Sequence, residues 1–147
     1  MRHVSRYVVD APTVLQLVAD GIEVGPEHQL VAPSLIRSQA LALLFDAVSR
    51  GDLTEEAALR RHDVLTKLRM RLLSDQVSRR TAWRIAREQG WESTYDAEYV
   101  AVTRLQADAL VTVDPTLAAK AKGVVPLAPF DLLRRLGSAS DARSARH

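Results

Sequence analysis

Ala109-Leu110-Val111-Thr112-Val113 runs directly into Asp114-Pro115 and a helix-forming stretch that ends near Lys122. A short run of aliphatic and β-branched side chains, closed by an acid and a helix-starting proline, predicts a buried strand that hands over to a helix. The same grammar appears at the start of the chain, where Tyr7-Val8-Val9 is followed by Asp10-Ala11-Pro12 and a helix through about Asp20. Gln29-Leu30-Val31 is a further short strand, with Pro33 starting a second helix that ends near Gly51. Strands that alternate with helices imply a parallel sheet covered on both faces, because each parallel connection needs a crossover. The expected fold class is therefore α/β, a three-layer α/β/α domain with a parallel central sheet.

Outward from these units, Thr54 is an N-cap candidate for a third helix, with Glu55 and Glu56 in its first turn. Met70 to Leu73 reads as a strand, and a fourth helix runs from about Asp75 to a C-cap at Gly90. Ser93-Thr94-Tyr95-Asp96 starts a fifth helix, Val124-Val125-Pro126-Leu127 reads as a last short strand, and Pro129 to Leu136 as a final helix. Residues 1–136 form one domain on this reading, without internal repeat. The small, polar stretch 137–147 is expected to be a disordered tail.

A chain of 147 residues with 47% hydrophobic and 26% charged side chains has the make-up of one soluble globular domain. It contains no cysteine, so disulfides, zinc thiolate sites and cysteine nucleophiles are excluded. The N-terminal stretch resembles neither a signal peptide nor a membrane span, which makes a cytoplasmic location the expectation. The net charge is only +2, yet Arg60, Arg61, Lys67, Arg69, Arg71, Arg79, Arg80, Arg84 and Arg87 crowd the middle of the chain. Such a cluster suits a polyanion, since phosphate contacts supply most non-specific affinity; the plainer reading is a solvated helix face.

In an open parallel sheet the carboxyl ends of the strands share one edge, so Asp10 and Asp114 should meet there. Asp96 joins them if the fifth helix starts at that edge, and Gln39, about two turns into the second helix, points back toward the same cleft. Convergent carboxylates repel one another unless a divalent cation neutralises them, and oxygen donors favour Mg²⁺ or Mn²⁺. Each acid has a structural alternative. Asp10 and Asp114 could be N-caps, and Asp96 could complete a capping box with Ser93. Acids at separate strand–helix junctions of one sheet are harder to assign to capping as a set.

These segments carry a resemblance. Val8-Val9-Asp10-Ala11, Ala32-Pro33-Ser34-Leu35, Thr94-Tyr95-Asp96-Ala97-Glu98-Tyr99-Val100-Ala101 and Leu110-Val111-Thr112-Val113-Asp114 resemble the PIN-domain ribonucleases, most of all the VapC toxins of toxin–antitoxin pairs. The resemblance runs from about Tyr7 to Leu136. It implies a PIN-like domain that hydrolyses RNA with Mg²⁺ or Mn²⁺, is often dimeric, and is held inactive by a cognate VapB-like antitoxin. Asp10, Asp96 and Asp114 match three acids of the family and would hold the metal, and Thr112 matches a hydroxyl residue common two positions before the last acid. The family's glutamate on the second helix falls on Gln39, a near-isosteric amide that carries no negative charge and takes no proton from a water. Glu98 lies roughly 200° around a helix from Asp96 and is a poor replacement.

The leading expectation is a metal-dependent endoribonuclease whose activity is reduced or lost at Gln39. The alternative is an inactive PIN-like module that binds RNA or an antitoxin, and a DNA-directed nuclease ranks lower. The arginines of the middle stretch would hold the RNA backbone, with Arg37 facing the cleft side of the second helix. The apolar face around Leu41-Ala42-Leu43-Leu44-Phe45 would offer a groove to a partner helix. His3, His28, His62 and His147 show no paired ligand spacing, no Gly-rich phosphate loop occurs, and Trp83 and Trp91 read as core or interface residues.

Overall fold

The computed structural model describes residues 4–135. The predicted tail at 137–147 and the last residue of the predicted domain, Leu136, lie outside the described residues. In chain order the elements are β1 (Ser5–Val9), α1 (Ala11–Ala19), β2 (His28–Pro33), α2 (Leu35–Ser49), α3 (Glu55–Lys67), β3 (Met70–Leu73), α4 (Gln76–Gln89), α5 (Tyr95–Gln106), β4 (Ala109–Val111) and α6 (Pro115–Ala121), followed by a 3₁₀ turn at Phe130–Leu133. The strands form a parallel sheet in the order β3-β2-β1-β4. On it, α1, α2 and α3 pack together, α2 reaching β2, while α5 lies against β1, β2 and β4 and is backed by α4. The result is the expected three-layer α/β/α domain.

The sheet is buried on both faces, which is why its strands are continuous apolar runs rather than alternating ones. Val8, Val9, Leu30, Val31, Leu110 and Val111 are almost entirely buried, as are Val14, Leu17 and Ile36 from one helical layer and Val100 and Val102 from the other. Each such side chain contributes roughly 1.5–3 kcal/mol relative to exposure, which fixes the strand ends in space. The helix entries at α3 and α4 follow their caps: Thr54 Oγ1 accepts from Ala57 N at 3.1 Å, and Asp75 Oδ2 from Ser78 N at 3.1 Å.

Several boundaries differ from expectation for identifiable reasons. Pro33 ends β2 instead of starting α2, and the next residue, Ser34, donates its N–H to Leu73 O at the end of β3. Strand β4 stops at Val111; beyond it the backbone N–H groups of Val113 and Asp114 donate to the Thr13 and Thr112 hydroxyls in place of ladder bonds. Val124 to Leu127 is not a strand; only Leu127 forms a bridge, to Leu110, and Pro126 in its middle has no N–H to give a ladder. The predicted final helix reduces to the 3₁₀ turn, after which Arg134 bridges back to Val24. Among the described residues no helix is long and apolar enough to cross a membrane.

Candidate functional site

Strand β1 is the point at which the order of connections reverses, β2 lying on one side and β4 on the other. Crevices at the carboxyl ends of parallel strands open at such reversals. In the register Val9 pairs with Val111, so the next residues, Asp10 and Thr112, emerge side by side. A cleft of about 280 Å³ opens there, lined by Asp10, Pro12, Gln39, Asp96, Tyr99 and Asp114, with Ala11, Ala42 and Leu43 completing its wall. The structure thus brings all three predicted acids and Gln39 to one cleft, from four separate segments.

Asp10 is only 4% exposed. It stands at the N-cap position of α1, but its side chain caps nothing. Instead Thr13 donates to its Oδ1, and Thr112 Oγ1 donates to its Oδ2 at 2.8 Å. Both threonines are held in turn: Thr13 Oγ1 accepts from Val113 N at 3.0 Å, and Thr112 Oγ1 accepts from Asp114 N at 3.0 Å. Burial pushes the Asp10 carboxyl above its ordinary range, and the Asp114 charge adds to that, while the two threonine hydroxyls oppose it. Such a carboxylate is poorly solvated, and a positive charge in the cleft would relieve it.

The other acids are each engaged within the protein. Asp114 does cap its helix, Oδ1 accepting from Thr116 N at 2.9 Å, so the capping alternative holds for this residue alongside its place in the cleft. The capping box predicted as the alternative for Asp96 is absent: Ser93 Oγ accepts from Tyr95 N, and Asp96 Oδ2 accepts from Lys120 Nζ at 2.8 Å. Gln39 Oε1 accepts from the Tyr99 hydroxyl at 2.5 Å. Burial, then the charges of Asp10, Glu98 and Asp96, push the Tyr99 phenol far up, so it is a neutral donor. Glu98 does not line the cleft; burial raises its carboxyl, and Arg79 on α4 opposes the shift.

Among the described residues no three of His, Cys, Asp or Glu stand close enough to hold a metal ion in this arrangement. Asp96 is instead paired with the Lys120 ammonium and Asp114 caps its own helix. The donor chemistry still suits a hard divalent cation: carboxylates and one amide oxygen, with no sulfur or imidazole lining the cleft.

Thr13, Tyr99 and Lys120 belong to this site without having been singled out as site residues by the sequence. Thr13 and Tyr99 were legible in principle, each lying three residues after an acid, Asp10 and Asp96, on the same helix face. Lys120 carried no local signal. Arg37 corrects an expectation, because it lines a different and larger cavity of about 430 Å³ with Ile36, His62, Leu65 and Met70. The basic middle stretch also divides: Arg60, Arg61 and Lys67 lie on α3, Arg69 and Arg71 at β3, and Arg79, Arg80, Arg84 and Arg87 on α4 beside the helix that bears Asp96.

No protein-family model matches the chain, and no curated protein matches it. Among solved structures the chain is similar to the crystal structure of PAE2754 from Pyrobaculum aerophilum, with 25% sequence identity, a TM-score of 0.69 and coverage of 100% of both chains. That likeness is one of fold over the whole length.

Proposed function

We propose that this protein is a metal-dependent endoribonuclease of the PIN-domain, VapC-like kind, weakened by Gln39. The observation that carries the proposal is a carboxylate buried at the sheet's reversal point, Asp10, facing Asp96 and Asp114 across one cleft. Burying an ionised carboxylate is costly, and the fold keeps it there with two threonine donors. Asp10, Asp96 and Asp114 would hold Mg²⁺ or Mn²⁺. When bound, such a cation neutralises charge on a phosphodiester and acidifies water near it.

The chain's own residues then have definable tasks. Thr13 and Thr112 orient Asp10, and Asp114 N fixes Thr112. Tyr99 holds the Gln39 amide by its oxygen. Gln39 cannot accept a proton from water, and replacing a general base in this way removes about 10²–10⁴ in rate. On this reading the partners are an RNA substrate, a VapB-like antitoxin and a second copy of the chain, in the cytoplasm. The exposed apolar side chains Leu41, Phe45 and Leu59 on α2 and α3 support a protein partner.

A second reading, a PIN-like module that binds without cutting, is favoured by two contacts: the Gln39 oxygen is taken by Tyr99, and Asp96 by Lys120. Cleavage of RNA in Mg²⁺ and in Mn²⁺ by the chain, by Gln39→Glu and by Asp96→Asn separates the two. Slow cleavage that Gln39→Glu accelerates and Asp96→Asn abolishes is the expected result. Cleavage only after Gln39→Glu supports the binding module, and no cleavage by either form removes the nuclease proposal.

A further inference from the structure

The whole chain contains two tryptophans, Trp83 and Trp91, and they border one hollow. Trp83 is on α4 and 62% exposed. Helix α4 ends at Gly90, whose φ of 69° lets the chain turn sharply, and Trp91 N then donates back to Ala86 O. This turn sets Trp91, half-buried against the core, beside the last turns of α4. The hollow between the indoles has a volume of about 140 Å³, and Arg87, Glu92, Ser93 and Thr94 complete its lining with Ala86 at the base.

Each indole carries a cation. The Arg87 guanidinium lies 6.0 Å from the Trp83 ring centre, and Lys120 Nζ lies 4.7 Å from that of Trp91. Lys120 also touches Asp96 of the acidic cleft at 2.8 Å, so one side chain links a residue of the hollow to a residue of the cleft. The exposed Arg79, Arg80 and Arg84 add positive charge along the same helix.

Two indoles bordering one hollow, each with a cation near its ring, suit a ligand in which planar and anionic groups alternate. Bases stack on indoles and phosphates meet guanidinium and ammonium groups. A polyanion approaching a cleft lined by carboxylates is repelled there, and cations at its rim are needed to hold it. We propose that the hollow between Trp83 and Trp91 is a base-stacking subsite for single-stranded RNA. One base lies on the exposed face of Trp83, Arg87 contacts the adjoining phosphate, and Lys120 marks the passage of the strand toward Asp96. The choice of RNA rests on the nuclease proposal above, whereas the stacking geometry does not.

Because both tryptophans border the hollow, the intrinsic indole emission of the unmodified protein reports on this place alone. The full chain is titrated in EDTA with an unstructured, fluorescently tailed RNA of about ten nucleotides, and with the matched duplex, reading indole quenching and anisotropy. The single strand is expected to quench and bind, and the duplex to leave the emission unchanged. Trp83→Ala, which removes the stacking face, and Arg87→Ala, which removes the phosphate contact, should each weaken binding at least about fivefold. Circular dichroism melts confirm that these exposed positions leave the fold intact. Binding by Trp83→Ala within about twofold of the unmodified chain, or equal quenching by duplex, overturns the subsite. A protein that binds through Trp83 yet cuts nothing in Mg²⁺ or Mn²⁺ supports the subsite and removes the nuclease proposal. One that cuts RNA while Trp83→Ala binds normally overturns the subsite alone, and no binding of any RNA in EDTA overturns the subsite while the cleavage assay decides the nuclease proposal.

Discussion

Replacing Lys120 with methionine tests how the cleft balances its charge. Lys120 Nζ lies 2.8 Å from Asp96 Oδ2, with the two side chains 27% and 37% exposed. A unit-charge pair near a protein surface attracts by a nominal 4 kcal/mol or so at 4 Å, but measured partly exposed pairs retain about 1 kcal/mol or less after solvent screening and side-chain ordering. Any cation that takes Asp96 as a ligand must share that carboxylate with the ammonium and also bear its repulsion. Removing the ammonium therefore releases about 1 kcal/mol to metal binding, which corresponds to a dissociation constant about fivefold lower. Methionine keeps an apolar stem against Trp91, so the change is chiefly one of charge. Isothermal titration of Mn²⁺ into the unmodified chain and the Lys120→Met form measures the difference, and Lys120→Arg, which retains the charge, should behave like the unmodified chain. In an Asp96→Asn background the gain should vanish, since the two substitutions act on one contact. An unchanged or weaker Mn²⁺ affinity in Lys120→Met refutes the reasoning.

Three further outcomes follow from the same contacts. Asp10 has a carboxyl raised above 3.8 by burial, so the folded state binds its proton more tightly than the unfolded chain and stability falls as pH rises from there through the folded value. Asp10→Asn removes the titrating group and should flatten that fall in metal-free melts across pH; a fall of unchanged steepness would contradict it. Thr112→Val leaves Asp10 Oδ2 without its 2.8 Å donor, which should cost about 1–3 kcal/mol in urea denaturation at neutral pH and less once Asp10 is protonated. Gly90→Ala meets no atom within 4 Å of the added methyl but sits at φ +69°, so equilibrium denaturation should show a loss of about 1–2 kcal/mol from backbone strain alone. A neutral result there would mean that the turn relaxes.

The fold class and most elements were legible in the chain because they rest on local facts. Short apolar runs at Tyr7-Val8-Val9 and Ala109-Leu110-Val111, each followed by an acid and a proline-bearing helix start, already specify parallel βα units. Where local signals conflict, the boundaries moved. Thr112 and Val113 have strand propensity, yet the backbone N–H groups of Val113 and Asp114 are taken by the Thr13 and Thr112 hydroxyls, and β4 ends at Val111. Pro126 interrupts what composition suggests is a strand, and its carbonyl alone joins the sheet.

By itself, then, the sequence determined that Asp10, Asp96, Asp114 and Gln39 would face one sheet edge, since strand ends and helix starts follow from periodicity and caps. Only the tertiary structure decided what each of those groups touches. The partners lie far away along the chain: Thr112 is 102 residues from Asp10, Tyr99 is 60 from Gln39, and Lys120 is 24 from Asp96. Their meeting depends on the strand order β3-β2-β1-β4 and on the packing of α5 against β1, β2 and β4, and no local pattern records that order. The same holds for the hollow bordered by Trp83 and Trp91, where the left-handed Gly90 after α4 brings Trp91 back against the helix that bears Trp83.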